Sequence, residues 1–231
     1  MNQEKFIRAC DLVISEGMVR EQIGNLNEKL IHKVLKYYYN DNKDCHEVKV
    51  KNYYADIKNG DDITEIQTHN FYQIKNKLKD LLLDYQVNLV HPLYLEKISV
   101  LLNSTGQVIK KRKSSHKENL FSMAMELFYI KDLLNNPKLK ITIPYLKVEE
   151  YKYEGKKEKL VIPVDIIKEE ELDLCNFLFE KLEFTLKEYS EFFKINKRLA
   201  QTVLYILLDV GLIKRARKVG NAYIYEVIKN R

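Results

Sequence analysis

The sequence predicts an α+β protein in two units, for three reasons. A helix-periodic segment near residue 30 gives way to short runs in which apolar residues alternate. Strand-like and helix-like stretches then follow one another to about residue 168. Past residue 170 the pattern changes to helices closed by a hairpin. Residues 1–168 are assigned to a first unit with an N-terminal helical extension, and 169–231 to a second, with no flexible linker between them.

Residues 25–39, NLNEKLIHKVLKYYY, place Leu26, Leu30, Ile31, Val34, Leu35 and Tyr38 at helical spacing, with Asn25 or Asn27 as N-cap. From residue 47 the period becomes two. EVKV, YYADI and DITEIQT read as antiparallel strands parted at Lys51-Asn52 and at Asn59-Gly60, a pair that tolerates the positive φ of a tight turn. NFYQIKNKLKDLLLDY sets Phe71, Ile74, Leu78, Leu81 and Leu82 on one helical face, and VNLVHPL is a buried strand ended by Pro92. KISVLL and GQVIK form a hairpin around Ser104, Thr105 and Gly106. It runs into a basic loop, KKRKSSHK (110–117), ahead of a helix over 118–134. ITIPYLKVEEYKY and KLVIPVDII, either side of Gly155-Lys156-Lys157, are a further strand pair.

In the second unit, ELDLCNFLFEKL, TLKEYSEFF and NKRLAQTVLYILLDVG read as three helices, and LIKRARKVGNAYIYEV as a hairpin turning at Val219-Gly220-Asn221. That is the order of a winged helix-turn-helix. Thr185 and Asn196 are natural N-caps, and Gly211 stops the third helix.

The 231 residues are 45% hydrophobic and 31% charged, with 7 Gly and 4 Pro, which excludes disordered and collagen-like chains. Lys and Arg total 39 against 33 Asp and Glu, a formal charge of +6. The cysteines, Cys10, Cys45 and Cys175, are isolated and form no CxxC, so no structural zinc is expected and a reduced, cytoplasmic setting is. No signal peptide, membrane-spanning run, Gly-rich phosphate loop or GxSxG elbow is present, so nucleotide and serine hydrolysis have no support.

Chemistry concentrates at Asp56, on one strand, and Glu65-Ile66-Gln67, on the next. Side chains two apart share a strand face, so Glu65 and Gln67 project together while Ile66 points into the opposite, apolar layer and leaves its carbonyl near the acids. A hairpin brings Asp56 beside Glu65. Two carboxylates forced together are costly unless a cation neutralises them, and oxygen-rich clusters select Mg²⁺ or Mn²⁺.

A helix carrying Glu28, three strands with the acids on the second and third, then a helix and a strand follow in the order of the PD-(D/E)XK nuclease core. Over roughly residues 25–165 the chain resembles that superfamily, and it looks like a bacterial group sharing a GDDITEIQTHNFYQIKNKLKDLL-like stretch and a C-terminal winged helix. The resemblance implies a restriction-endonuclease-like core, a mixed sheet flanked by helices. It further implies Asp56 and Glu65 as metal ligands completed by the Ile66 carbonyl, with Glu28 as an auxiliary acid. Gln67 stands where the superfamily has its usual lysine, and Lys77, in preference to Lys75, is expected to supply the missing positive charge. The activity implied is Mg²⁺- or Mn²⁺-dependent cleavage of double-stranded DNA by a homodimer, with a restriction-like or defence role. The rivals are a DNA-binding regulator whose nuclease-like body is inactive, and a pure interaction module.

Lys110, Lys111, Arg112, Lys113 and Lys117 are expected to meet DNA phosphates, with Ser114 and Ser115 as further donors. In the second unit Asn196, Lys197, Arg198 and Gln201 begin the recognition helix, and Arg215, Arg217 and Lys218 lie on the wing.

Overall fold

The computed structural model describes residues 2–15, 26–115, 117–155 and 159–228, with the backbone alone for 26–29. Two helices lead, α1 (Gln3–Ser15) and α2 (Leu26–Tyr39). Next come strands β1 (His46–Val50), β2 (Tyr53–Asn59) and β3 (Asp62–Ile66), helix α3 (Phe71–Leu81), and strands β4 (Gln86–Val90), β5 (Leu93–Leu102) and β6 (Val108–Lys113). Helix α4 (Ala124–Tyr129) precedes the long hairpin β7 (Leu139–Tyr153) and β8 (Lys159–Glu171). The C-terminal unit holds β9 (Glu183–Thr185), α5 (Leu186–Phe192), α6 (Lys197–Asp209), β10 (Ile213–Val219) and β11 (Ala222–Val227).

The fold is α+β, with a mixed main sheet flanked by helices and a separate small sheet ordered β10-β11-β9. The main sheet runs β1-β2-β3-β4-β7-β5-β6, and β8 also pairs with β7. β1, β2 and β3 are antiparallel, whereas β3, β4 and β7 are parallel, because α3 carries the chain back between β3 and β4. β4 and β5 lie against successive lengths of β7, from Leu139 to Thr142 and then from Tyr145 to Tyr153. The step between them is at His91-Pro92, where proline has no N–H to continue a ladder.

Each face of the main sheet has its own apolar layer. Phe6, Val13, Leu30 and Val34 of α1 and α2 pack on Ile57, Ile66, Leu146, Val148 and Ile166. On the other face Phe71, Leu78 and Leu127 of α3 and α4 cover Ile63, Val87 and Leu89. Burying one such side chain stabilises by about 1.5–3 kcal/mol. The second layer continues without a break into Phe177, Phe179, Tyr189, Val203 and Leu207, so the two units share a core. Lys131 pairs with Asp209 across the same junction, and the Thr202 hydroxyl lies 3.5 Å from the Met125 sulfur.

The caps of α5 and α6 behave as the sequence predicts, whereas of the two N-caps expected for α2, Asn27 lies inside the helix and Asn25 outside the described residues. Thr185 and Glu188 form a reciprocal capping box on α5, and the Asn196 side chain accepts the Leu199 N–H at 2.9 Å. After α6 the chain turns at Gly211, φ +77°. There the Leu212 N–H reaches the Leu207 carbonyl at 2.9 Å and the Gly211 N–H reaches Leu208 at 3.2 Å, the two bonds of a Schellman stop.

Three expectations need correction. β8 continues to Glu171, so the expected division at 168 falls inside a strand, and 171–182 holds a single 3₁₀ turn, Leu174–Phe177, in place of a helix. Asp173 accepts the Cys175 N–H at 2.8 Å and starts that turn, and Leu172, Leu174, Phe177 and Phe179 then reach the shared core. The expected helix over 118–134 is α4 between 3₁₀ turns Leu120–Met123 and Lys131–Leu133, with Asn119 and Ser122 capping the first. Residues 110–113 are not a loop but most of strand β6, exposed along its whole length. Among the described residues no helix is long and apolar enough to cross a membrane.

Candidate active site

The site forms where β2 and β3 separate. Their ladder pairs Asn59 with Asp62, Lys58 with Ile63 and Ile57 with Thr64, then stops. The next pair would set Asp56 opposite Glu65. Instead an Asp56 carboxylate oxygen enters the gap and accepts the Ile66 N–H at 2.7 Å. In an extended strand a residue's N–H and C=O point to the same side, so the Ile66 carbonyl is also directed toward this gap. The Ile66 side chain is buried in the α1/α2 layer, as alternation requires.

Asp56 and Glu65 are both buried, at 9% and 3% exposure, and their ionisations move apart. Burial pushes the Asp56 carboxyl up. The hydrogen bond and charge of His32, the Ile66 amide and the Lys77 charge outweigh burial and hold it below the usual carboxylate range. Burial also pushes Glu65 up, and the Asp56 charge adds to it; Lys77 offsets only part, leaving Glu65 at about 7. Lys77 Nζ lies 2.5 Å from Glu65 Oε2 and 2.6 Å from the Tyr54 carbonyl. Its neighbour Leu78 is fully buried, so the lysine stem runs over the core while the ammonium reaches the acids. The other oxygen, Glu65 Oε1, is buried with no hydrogen-bond partner among the described residues.

His32 of α2 approaches from the opposite layer, its Nε2 3.0 Å from Asp56 Oδ2. Sequence reasoning did not select it as a site residue. The signal was its spacing four residues after Glu28, which puts both on one stripe of α2 that continues to Lys36. The side chain of Glu28 itself lies outside the described residues. Lys75 pairs with Asp132 at 2.6 Å, so of the two lysines considered it is Lys77 that meets Glu65.

Gln67 lines the cleft, but its side-chain amide donates to the His69 carbonyl at 2.5 Å. Its backbone is held on the β4 side. The Gln67 N–H reaches the Val90 carbonyl at 2.9 Å, and a parallel ladder would next have residue 92 donate to the Gln67 carbonyl. That residue is Pro92, and His91 Nδ1 donates instead, at 2.7 Å. Burial holds His91 below its ordinary pKa, so the ring is neutral with its proton on Nδ1. Helix α3 then starts from Asn70, φ +62°, and Glu126 of α4 accepts the Phe71 N–H at 2.8 Å.

The acids open into a cleft of about 880 Å³. Asp56, Glu65, Gln67 and Lys77 line it together with His32, Lys33, Lys36, Lys43, His46 and Glu47. Lys36 pairs with Glu47, and Lys43 lies 5.8 Å from the centre of the Tyr37 ring. This is a basic recess around an acidic pair. Among the described residues no three His, Cys, Asp or Glu side chains are gathered to hold a metal ion. Mg²⁺ does not require three, since it uses one or two carboxylates and completes its shell with waters and substrate oxygens. The orphaned Glu65 oxygen, the Asp56 carboxylate and the Ile66 carbonyl are therefore a donor set that fits a hard divalent cation.

The expected DNA contacts are distributed over two regions. Lys111 pairs with Glu149 at 2.8 Å and Lys113 with Glu96 at 3.1 Å, whereas Lys110, Arg112 and Lys117 are exposed. Lys197, Arg198 and Gln201 lie exposed on α6, and Asn196 carries its cap. Arg215 and Lys218 stack on Tyr223, at 4.7 and 5.6 Å, and Arg217 grips both Glu183 oxygens at 2.5 and 2.7 Å.

A family model described as a domain of unknown function (DUF8091) matches residues 29–176, a span that contains His32, Asp56, Glu65 and Lys77 and ends before β9 and α5. A Treponema pallidum (strain Nichols) protein described as uncharacterized is 29% identical over 136 residues, 58% of this chain and 54% of that protein. The chain thus spans about half the length of that relative. No solved structure matches.

Proposed function

The chain belongs to the DUF8091 family, and from its own chemistry we propose that it is a Mg²⁺- or Mn²⁺-dependent DNA endonuclease that hydrolyses phosphodiester bonds. The observation that carries this reading is the buried, partnerless Glu65 Oε1 beside a second buried carboxylate, at the mouth of a lysine-lined cleft. A buried carboxylate pair that Lys77 compensates only in part is expensive, and a bound divalent cation relieves the cost. Asp56, Glu65 and the Ile66 carbonyl would hold that cation. When bound, it supplies Lewis-acid polarisation of the phosphate and a water of lowered pKa.

The other residues have roles their contacts define. His32 orients Asp56, and Lys77 holds the outer oxygen of Glu65. Lys77 also sets a positive charge beside the acids, which supports its taking the place of the lysine that the nuclease pattern has at position 67. Gln67 is turned along the following loop and acts through its backbone. Lys33, Lys36, Lys43 and Lys77 against Glu47, Asp56 and Glu65 leave the cleft a net 4 − 3 = +1, the sign that draws in a phosphodiester. The C-terminal unit, with helix, turn, helix and hairpin in winged-helix order, holds the duplex through Lys197, Arg198 and Gln201. Cutting both strands requires two sites and hence a two-fold dimer.

The competing reading, a DNA-binding regulator with an inactive core, rests on Gln67. One experiment separates the two. Purified protein is incubated with supercoiled plasmid in Mg²⁺, Mn²⁺ or EDTA, beside Asp56→Ala and Glu65→Ala variants whose folding is checked by circular dichroism. Nicking or linearisation that needs the metal and both acids supports the nuclease. Duplex binding without cleavage under every metal condition assigns the regulator.

A further inference from the structure

The basic run at residues 110–113 is split by strand geometry, and half of it joins a surface that the run alone does not define. On β6 successive side chains alternate, so Lys110 and Arg112 share one face and Lys111 and Lys113 the other. The register sets Arg112 opposite Ser99 and Lys110 opposite Leu101 on β5, on the face that also carries Lys97. Ser99 is in turn opposite Glu150 of β7, and Leu101 opposite Lys152, which is paired with Lys159 of β8. Contacts establish that this is one face: Glu150 Oε2 lies 3.3 Å from Lys97 Nζ and 3.2 Å from Lys159 Nζ, and its Oε1 lies 2.8 Å from Lys152 Nζ.

Lys97, Lys152 and Lys159 thus contact one carboxylate, and Lys110 and Arg112 share its face two strands away, so five cations meet one acid there, a surplus of 5 − 1 = +4. Glu150 is 3% exposed and lies beneath them, whereas Lys152 and Lys159 are about half exposed. Neutralising one acid does not need three lysines. Like charges held this close repel, and an external anion would relieve that repulsion. Four strands cover about 14 Å across, close to the roughly 12 Å width of a major groove, so the patch can meet phosphates on both sides of one.

We propose that this face of the β6-β5-β7-β8 sheet, organised around Glu150, is a second docking surface for duplex DNA that grips the phosphate backbone without reading sequence. It extends the DNA-directed reading of the cleft. β5 starts beyond the end of β4, so Glu150 lies nine residues further along β7 than Ile141, the residue level with Glu65, roughly 30 Å. A duplex held there would be anchored about nine base pairs, a little under one helical turn, away from the cut.

The test needs no divalent ion, which keeps its failure distinct from failure of the nuclease reading. Binding of the full chain to a fluorescent 30-base-pair duplex is followed by anisotropy in EDTA over a range of salt concentrations. The triple variant Lys110→Gln, Arg112→Gln, Lys152→Gln leaves Lys97 and Lys159 on Glu150, so the strands stay pinned. The control, Lys49→Gln, Lys79→Gln, Lys140→Gln, removes the same charge elsewhere. The patch variant is expected to bind at least about tenfold more weakly and to lose about 2 to 3 units of log–log salt slope, at roughly 0.9 per phosphate contact. The proposal is overturned by an unchanged slope, by a loss matched in the control, or by wild type that ignores the duplex yet binds phosphatidylserine vesicles.

Discussion

Replacing Glu65 with Gln should stabilise the metal-free protein at alkaline pH and leave it nearly unchanged at acid pH. Glu65 is raised from 4.5 to about 7, chiefly by burial and then by the Asp56 charge. The folded state therefore binds a proton that the unfolded state has released between those values, and wild type loses stability as pH rises through that window, by up to about 1.4 kcal/mol per pH unit. Glutamine imitates the protonated acid at every pH. The gap between variant and wild type should open from about pH 5 and level off above pH 7 at about 3 kcal/mol. In a chain of this size that is roughly 6–12 °C of melting temperature. The gap is the right quantity because other groups cancel in it. His91, held below 6.5 by burial, makes both proteins less stable as pH falls through its ordinary range. Asp56, held below 3.8, matters only at still lower pH. Thermal melts in EDTA from pH 5 to pH 9 measure the gap. Mg²⁺ should then narrow it at pH 8 by stabilising wild type alone. A gap independent of pH, or a variant weaker throughout, would refute the account of Glu65 as a buried charge that Lys77 only partly compensates.

Lys77→Met should lower metal-dependent plasmid cleavage by about 10²-fold or more while the protein still folds, since it removes a charge set beside the acids; unaltered cleavage would free Lys77 of that role. His91→Leu strips the Gln67 carbonyl of its donor and should cost about 1–3 kcal/mol in urea unfolding, with the denaturant slope unchanged. Gly211→Ala meets no atom within 4 Å, so its cost is the left-handed backbone alone, about 1–2 kcal/mol by thermal melt. Asn196→Asp retains the cap and should stay within about 0.5 kcal/mol of wild type while weakening duplex binding in anisotropy, and equal binding would remove Asn196 from the DNA face.

The carboxylate pair was legible because two strands and a tight turn are local: three steps out from the Asn59–Asp62 pair that closes the Gly60-Asp61 turn bring Asp56 and Glu65 to the same level. The caps of α5 and α6 were legible for the same reason. His32 was not, because its role depends on how α2 crosses the sheet, which no period in the chain encodes. Residues 110–113 were misread because alternation needs contrast, and a strand of uninterrupted cations offers none. Residues 171–182 misled for the opposite reason: apolar residues there are dense enough to mimic a helix, yet they fill the shared core from largely extended chain. The β4-to-β5 step at Pro92 shows in the sequence only as a strand end, although β5 then resumes along the same edge of β7.

Helix α4 is joined on one side to the start of α3, through Glu126, and on the other to α6, through Lys131 and Met125. Leu127, Ile130 and Leu133 lie in the layer that both units contribute to. The C-terminal portion is thus a lid on the hydrophobic interior, not an appendage. Shortening the chain to residues 1–171 would wet that interior and loosen the footing of the helix that carries Lys77, so a trimmed fragment should precipitate and not behave as a minimal catalyst.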